Sequence, residues 1–338
     1  MSSDSPKRPS LTPPSPTNHS QCLISFGSNL GDRNDVLAEA ARRISQSGLI
    51  LGGCQLRTSR LFETPPIGGP GGQDPFLNAV GAFETDASAR DVLALLQELE
   101  LDLGRQRHRR WAARSIDLDV VLHGELVGGG TGLIVPHPRY TARQFVLKPA
   151  CDVAAHYRDP RFGWTLARLT EHVSAGNASI ALVGGDAKTR GELCDRLADE
   201  HGIQTYAATP MAPSMPVVGN APAAVRPADS DLPLGEPIEH CGDQPWIAAY
   251  LPKLPIDADP ASDAVNSPSV PRLVARLQRA TEETRWPAPH QIWPGGWEWP
   301  EYRLEVDDLA WAVTELVSAL DSMRCEVTPV TDDGRWWE

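Results

Sequence analysis

Apolar positions in the first half of the chain alternate, or recur at helical spacing, in well-separated segments. The patterns predict, in chain order, a strand at 22–26, a helix from Val36 to Gly48, strands at 54–62 and 76–85, a helix from Ser88 to Gly104 and a strand at 116–122. Glycines and prolines at 63–73 indicate a loop. The order β-α-β-β-α-β predicts an α+β, ferredoxin-like domain in which helices pack on an antiparallel sheet.

The second half of the chain shows a different pattern. Residues 179–184 predict a buried strand that runs into a turn at 184–189 and then a helix over 192–200. A strand, a glycine turn, Lys-Thr and a helix together are typical of a P-loop, but the full motif needs glycines where this chain has Leu182 and Ala187. We therefore predict an α/β, P-loop-like domain whose nucleotide loop is degenerate.

Two features indicate how the chain divides. Residues 300–305 and the helical pattern from Leu309 to Leu320 resemble the closing strand and helix of deoxynucleoside-kinase-like domains. Residues 207–271 hold 13 of the 31 prolines, which break any regular helix and indicate a long irregular insertion or linker. We predict a disordered tail at 1–20, a first domain at 21–175, a degenerate nucleoside-kinase-like α/β domain at 176–330 with a proline-rich insertion at about 207–271, and a tail at 331–338.

The net charge of −13 is unevenly distributed between the two halves. Residues 21–175 carry 17 basic and 17 acidic side chains, whereas residues 176–338 carry 12 basic and 26 acidic ones. An acidic chain lacks the basic surface that a general nucleic-acid-binding protein needs. We find no signal-peptide pattern and no apolar run that approaches the roughly 20 residues of a membrane helix. The six dispersed cysteines indicate reduced thiols, so we expect a cytoplasmic protein without a nucleic-acid or membrane partner.

Two carboxylates share one face of the last strand predicted in the first domain. Alternation along 116–122 places Asp117 and Asp119 opposite the apolar side chains, about 7 Å apart. Such a pair repels unless a cation lies between the carboxylates. Mg²⁺ suits the pair because this ion combines one or two carboxylates with waters and phosphate oxygens. The alternative is a solvated strand face, which is the commoner meaning of a lone D-x-D motif.

An arginine-rich loop comes just before this strand. Five arginines lie within ten residues, namely Arg105, Arg107, Arg109, Arg110 and Arg114. Guanidinium groups match the geometry of phosphate oxygens, so in a neutral domain this loop indicates an anionic partner. Together with the carboxylate pair it predicts phosphoryl transfer, in which metal ions and guanidinium groups stabilise the developing charge. A solvated basic loop is the alternative.

Two further pairs of residues indicate a receptor for a flat heterocycle and a ribose. Phe76 and Asn78 share one face of their strand, so an aromatic plane lies beside an amide that could bond the edge of a ring. Gln97 and Glu100, at i and i+3 on the second helix, could together hold ribose hydroxyls. Core packing of the phenylalanine and simple solvent exposure of the helical pair are the alternatives.

Five motifs follow one another between residues 22 and 173. They are F-G-S-N-L-G-D-R (26–33), E-T-P-P-I-G (63–68), D-P-F-L-N-A (74–79), G-R-Q-R…R-W-A-A-R-S-I-D-L-D (104–119) and V-P-H-P-R…R-Q-F-V-L-K-P (135–149). In this order the segment resembles 6-hydroxymethyl-7,8-dihydropterin pyrophosphokinase, an enzyme of the folate pathway. The resemblance implies transfer of the β,γ-pyrophosphoryl unit of ATP to the hydroxymethyl group of the pterin, with release of AMP.

The resemblance also implies roles for individual residues. Asp117 and Asp119 would hold two Mg²⁺ ions, and Arg105 and Arg114 would reach the phosphates from a loop that closes on the substrates. The ATP site would be lined by Gln97, Glu100, Arg107, Arg110, Trp111, Val120, His137 and Arg143. The pterin would bind to Thr64, Pro65, Ile67 and Asn78, with its ring between Phe76 and Phe145.

Three other functions stay open on the sequence alone. A metal-dependent nuclease could use the D-x-D pair with the arginines, although an acidic chain disfavours a polyanionic substrate. The second half could be an active nucleoside or nucleotide kinase, which would make the protein bifunctional. It could also serve a protein partner or self-association: seven of the ten tryptophans follow residue 280, where exposed rings would suit an interface and packing is the alternative.

Overall fold

The computed structural model describes residues 19–105, 113–130, 132–207, 234–238, 242–255, 263–279 and 299–338. Residues 1–18 of the tail predicted at 1–20 and most of the predicted proline-rich insertion lie outside these ranges, and for those residues both stay predictions. Within the described ranges, no helix combines the length and the apolar character that a membrane crossing requires.

The first unit contains the predicted antiparallel sheet with helices packed on it. Its elements are β1 (Ser20–Ser28), α1 (Arg33–Ser45), β2 (Arg57–Thr58), β3 (Phe62–Thr64), β4 (Phe76–Thr85), α2 (Ala89–Asp102), β5 (Asp117–His123), β6 (Gly128–Gly130), β7 (Leu133–Val135), a 3₁₀ turn (Tyr140–Ala142), α3 (Gln144–Ala154) and α4 (Leu166–Ser174). Helix α2 begins with a capping box, in which Ser88 and Asp91 exchange side-chain and backbone hydrogen bonds.

The main sheet runs in the order β3-β4-β1-β5, with all four strands antiparallel and β2 also paired to β4. Gly27 on the central strand lies opposite Asn78 on one side and opposite Asp117 on the other. The register therefore brings the amide of one strand and the carboxylate of another to either side of a residue without a side chain.

Both faces of the main sheet are covered. On one face Phe26 and Leu118 pack with helices α1 and α2. On the other face Leu23 and Val121 join a larger apolar cluster that includes α3 and α4. Val121 is buried there, whereas Asp117 and Asp119, which alternate onto the same face, are half-buried. The pair therefore lies where the cover of this face ends.

The strand predicted at 54–62 is present only as the two short pieces β2 and β3. Ser59 lies between them, and its backbone N–H donates to the Val80 carbonyl at 2.9 Å. Its Oγ accepts the Val80 N–H at 3.0 Å, so a side chain replaces the backbone acceptor at this point. The regular ladder between the strands is interrupted as a result.

The second unit is an α/β structure with a parallel sheet. Its elements are β8 (Ser179–Val183), α5 (Ala187–His201), β9 (Gln204–Tyr206), β10 (Leu234–Gly235), β11 (Trp246–Ala248), β12 (Leu251–Pro252), α6 (Asp263–Asn266), β13 (Leu273–Gln278), β14 (Glu301–Glu305) and α7 (Leu309–Arg324). Five strands pair in parallel in the order β14-β13-β8-β11-β9. Helix α5 begins earlier than predicted because Asp186 caps it by accepting the Thr189 N–H at 2.7 Å.

The end of the described chain returns to the first unit. Strand β15 (Thr328–Pro329) pairs antiparallel with β3 and adds an edge strand to the main sheet. Trp336 donates its indole N–H to the Ser59 carbonyl at 2.8 Å and lies edge-on to Phe26, with ring centres 6.1 Å apart. Trp337 packs against the same core. These two tryptophans therefore belong to the packing of the first unit.

The two units share one continuous apolar core. It extends from Leu23 and Val121 in the main sheet, through α3 and α4, to Ile180 in the parallel sheet and Leu316 on α7. Because these side chains exclude water together, the two units are held against each other by the same burial that stabilises each of them.

Candidate active site

A cleft of about 240 Å³ opens between the main sheet and helix α7. Twelve of the residues predicted for the site line this cleft, namely Thr64, Pro65, Ile67, Phe76, Asn78, Arg105, Arg114, Asp117, Asp119, His137, Arg143 and Phe145. The structure therefore brings together side chains that are spread over about eighty residues of the sequence.

The predicted carboxylate pair lies at the start of β5. The two oxygens of Asp117 pair with different arginines, one with Arg105 at 2.8 Å and the other with Arg114 at 2.5 Å. Asp119 Oδ2 lies 3.7 Å from the Nε2 atom of His137. Each carboxylate is thus beside a nitrogen donor that a bound phosphate could also contact.

Asn29, a residue of the first motif, holds the end of the arginine loop. Its Oδ1 accepts the Arg114 N–H at 2.7 Å, and its own N–H donates to the Arg114 carbonyl at 3.1 Å. Its Nδ2 donates to Gln73 Oε1 and to the Asp74 carbonyl, both at 3.3 Å. Asn29 therefore connects two loops of the cleft. Sequence analysis assigned it no role, although its place in the motif was a signal.

The segment 137–143 carries two of the predicted ATP-binding residues. The Arg139 N–H donates to Nδ1 of His137 at 3.2 Å, which leaves the imidazole proton on Nε2, facing Asp119. Burial lowers the pKa of His137 well below its ordinary value, and the charges of Arg143 and Arg139 lower it further. The ring is therefore neutral and can donate one hydrogen bond into the cleft.

The residues predicted for the pterin form a polar and aromatic slot. Asn78 is buried and donates from Nδ2 to Thr64 Oγ1 at 2.8 Å. Gly27 lies opposite it, and a Cβ there would be 3.4 Å from Asn78 Oδ1, so the glycine leaves room beside this oxygen. Phe76 and Phe145 line the same cleft from β4 and α3. An amide, a hydroxyl and two rings are thus available to a flat heterocycle.

Three predicted ATP residues among those described do not line the cleft. Glu100 is buried, accepts the Leu118 N–H at 2.8 Å and pairs with Arg105, so it acts on the cleft by orienting that arginine. Val120 lies in the core, and Gln97 is exposed. Arg107, Arg110 and Trp111 lie outside the described residues. For all six, ATP binding stays a prediction.

The second unit also contributes to the cleft, which sequence analysis did not predict. Tyr302 on β14 and Glu315, Ser318, Ala319 and Ser322 on α7 form one of its walls. Every motif that pointed to the site lies in the first half of the chain, and no local pattern in the second half connects these residues with it.

The donor set of the cleft fits a hard divalent cation. Asp117 and Asp119 present carboxylate oxygens from one face of β5, next to space that waters and phosphate oxygens can occupy. Among the described residues, no group of three or more His, Cys, Asp or Glu side chains is arranged to hold a metal. An ion at this pair would therefore take most of its ligands from water and substrate, as Mg²⁺ commonly does.

Sequence comparison finds matches over the first unit. Residues 23–155 match the family 7,8-dihydro-6-hydroxymethylpterin-pyrophosphokinase (HPPK). The 2-amino-4-hydroxy-6-hydroxymethyldihydropteridine pyrophosphokinase of Pseudomonas aeruginosa is 37% identical over 140 residues, which cover 40% of this chain and 82% of that protein. The folic acid synthesis protein fol1 of Pneumocystis carinii is 36% identical over 150 residues, which cover 44% of this chain and 20% of that protein.

Comparison of structures finds a weaker similarity. The crystal structure of wild-type Plasmodium falciparum HPPK-DHPS aligns with 53% of this chain and 55% of that chain, at 12% identity and a TM-score of 0.34. This chain thus spans about half of that protein and a fifth of the fungal one, but most of the bacterial enzyme.

Proposed function

The chain belongs to the 7,8-dihydro-6-hydroxymethylpterin-pyrophosphokinase family, and from this premise we propose that its cleft joins the β,γ-pyrophosphoryl unit of ATP to the hydroxymethyl group of the pterin. Residues 23–155 form an ATP-dependent pyrophosphokinase domain of folate synthesis. The observation that carries the proposal for the whole chain is the meeting of a carboxylate pair, two arginines and an aromatic–amide slot in one cleft.

The two substrates would occupy opposite parts of the cleft. The pterin would lie in the slot between Phe76 and Phe145, where Asn78 and Thr64 offer hydrogen bonds to the edge of its ring. The triphosphate would lie between β5 and the segment 137–143, where arginines and the neutral His137 donate to its oxygens. This placement would point the hydroxymethyl group towards the β-phosphate.

The reaction exchanges one phosphorus–oxygen bond for another. The hydroxymethyl oxygen of the pterin bonds to the β-phosphorus, and the bond between that phosphorus and the oxygen bridging to the α-phosphate breaks. AMP leaves with that oxygen, and the hydroxyl proton passes to water. Arg105 and Arg114 reach this region and would stabilise the charge that moves onto the phosphate oxygens. Positioning of the two substrates and neutralisation of charge would provide the catalysis.

Asp117 and Asp119 would hold two Mg²⁺ ions. Bound Mg²⁺ neutralises triphosphate oxygens and so makes the β-phosphorus easier to attack. In the protein alone, Asp117 is paired with Arg105 and Arg114, which therefore keep the carboxylate in place. When the triphosphate enters, the same arginines can turn to its oxygens, because guanidinium groups bind phosphate as readily as carboxylate.

The first test is the identity of the product. The purified full chain, supplied with ATP, 6-hydroxymethyl-7,8-dihydropterin and Mg²⁺, is expected to release AMP and the pterin diphosphate, as measured by chromatography. Removal of Mg²⁺ with a chelator should stop the reaction, and a pterin without the hydroxymethyl oxygen should give no AMP. ADP as the only nucleotide product would favour the kinase alternative, and cleavage of DNA without AMP would favour the nuclease.

We further propose that the second unit is a nucleoside-kinase-like unit that has lost nucleotide binding. Its β8 lies where the connections of the sheet change direction, the usual place for a ligand in open α/β sheets. Arg190 is buried there and donates to the carbonyls of Gly184, Gly185 and Ala249 at 2.8 to 2.9 Å. Ala187 adds a Cβ where a P-loop requires a glycine. The guanidinium of Arg190 and the Cβ of Ala187 thus occupy the turn that would bind phosphate in a P-loop.

Binding stoichiometry tests the loss of nucleotide binding. Calorimetric titration of the full chain with α,β-methylene-ATP and Mg²⁺ is expected to give one site per chain. In this analogue, carbon replaces the oxygen whose bond to phosphorus the reaction breaks, so the ligand stays intact. A second site that persists in an Asp117→Asn variant would contradict the proposal and support a bifunctional protein.

A further inference from the structure

The segment 137–143 is held by the second unit along its length. The Arg303 N–H on β14 donates to the Pro138 carbonyl at 3.1 Å. Thr141 donates from Oγ1 to the carbonyl of Glu301, the first residue of the same strand, at 2.9 Å. Strand β14 of the parallel sheet is therefore hydrogen-bonded to the segment of the first unit that carries two predicted ATP-binding residues.

An ion pair between a buried carboxylate and a partly exposed guanidinium adds a side-chain contact between the same parts of the molecule. Oε2 of Glu315 on α7 forms an ion pair with Nε of Arg139, 2.6 Å away, and accepts a hydrogen bond from the Tyr302 hydroxyl at 3.2 Å. The guanidinium of Arg139 also lies 6.0 Å from the ring centre of Trp311, one turn earlier on α7. Burial, with the charge of Glu315, raises the pKa of Tyr302, so the phenol keeps its proton and donates it.

The main chain at Arg139 determines which tautomer the imidazole of His137 adopts. The backbone N–H of Arg139 is the donor to His137 Nδ1, so it selects the tautomer in which Nε2 carries the proton. Anchoring the Arg139 side chain on α7 therefore restrains the main chain that orients the imidazole. Glu315 of the second unit can therefore affect His137 of the predicted ATP site through a single intervening residue, Arg139.

Stability alone does not account for Glu315. Its side chain is 3% exposed, and Oε1 is buried without a hydrogen-bond partner among the described residues. A buried carboxylate with one oxygen unused destabilises a fold, and buried ion pairs contribute little compared with apolar side chains of the same size. Its location in the wall of the cleft is consistent with a role in the reaction.

We propose that Glu315 is a positioning residue of the pyrophosphokinase site. It holds Arg139, and through Arg139 the imidazole of His137, in the arrangement that receives ATP. The second unit then contributes to the active site of the first unit, which gives a physical reason why the two units are fused in one chain. The inference rests on the proposed function for the identity of the nucleotide.

The test is the change Glu315→Gln in the full chain. The amide keeps the size of the side chain but removes the charge that binds Arg139. We expect the Kd for α,β-methylene-ATP with Mg²⁺ and the KM for ATP each to rise about tenfold, since the pair is charged and its carboxylate is buried. The KM for the pterin and the melting temperature should stay at the wild-type values. Asp321→Asn, a matched change at an exposed position of α7, should alter none of these quantities.

A double variant separates action through Arg139 from any other effect. If Glu315 acts through Arg139, the variant carrying Glu315→Gln and Arg139→Gln should bind the analogue no more weakly than Arg139→Gln alone. Additive losses would overturn the proposal, as would a Kd for Glu315→Gln equal to that of the wild type. Equal rises in both KM values with a lower melting temperature would also overturn it, because they indicate a purely structural role.

The binding measurement keeps this inference separate from the proposed function. The analogue binds without turnover, so the titrations decide the role of Glu315 even in a chain that releases no AMP. Absence of AMP from the wild-type chain would instead refute the proposed reaction.

Discussion

Replacing Asp117 by asparagine is expected to lower the rate of AMP release by about a thousandfold while the protein stays folded. Asp117 lies on the cleft face of β5, where it pairs with Arg105 and Arg114. Asparagine keeps the volume of the side chain but removes the charge that would hold a cation beside the triphosphate. A bound metal contributes several kcal/mol to transition-state stabilisation, and about 4 kcal/mol corresponds to a factor of a thousand.

The rate of AMP release at saturating substrates, over a series of Mg²⁺ concentrations, measures this effect. Asp86→Asn is the matched control, because Asp86 is an exposed aspartate of the same unit, and it should keep the wild-type rate. A rate for Asp117→Asn within about tenfold of the wild type at every Mg²⁺ concentration would remove Asp117 from the metal site. Melting temperatures of both variants show whether any loss comes from unfolding.

Deleting residues 327–338 is expected to lower the free energy of unfolding by about 3–5 kcal/mol, because it removes two partly buried tryptophan side chains together with an edge strand. The deletion removes β15 from the edge of β3 and takes Trp336 away from Phe26. It also removes Thr331, whose Oγ1 accepts the Leu61 N–H at 2.9 Å. These contacts all stabilise the main sheet, so the loss should appear in the unit that contains Asp117.

Urea denaturation followed by circular dichroism measures this loss. Val330→Ala is the control within the same segment, because that side chain is 49% exposed and its removal should change the free energy of unfolding little. A deletion variant with the wild-type denaturation midpoint would show that the terminal strand and tryptophans are dispensable for the main sheet.

Local patterns in the sequence predict the elements whose interactions are also local. Strand β4 has the predicted bounds 76–85, and the capping box at Ser88 forms, because alternation and capping involve near neighbours. The strand predicted at 54–62 is divided because Ser59 bonds Val80, which lies on another strand. No property of residues 54–62 alone could indicate that contact.

The candidate site shows the same limit. The sequence predicts Asp117, Asp119 and Asn78 as site residues from their chemistry and their positions on strands. Their proximity comes from the register of β1 between β4 and β5. Helical spacing could pair Gln97 with Glu100, but it could not show that Glu100 turns to the Leu118 N–H. Glu315 comes from a different unit, so only the packing of α7 against the 3₁₀ turn reveals its place in the cleft.

The return of β15 to the main sheet has a consequence for the order of synthesis. The sheet that carries Asp117 lacks an edge strand until the ribosome has passed residue 329, after both units have been translated. Until then β3 presents unpaired N–H and C=O groups, which can template pairing with another chain. A nascent chain interrupted after the first unit would therefore expose β3 as an unpaired edge strand that is prone to aggregation. The complete cleft forms only in a polypeptide that already contains the second unit.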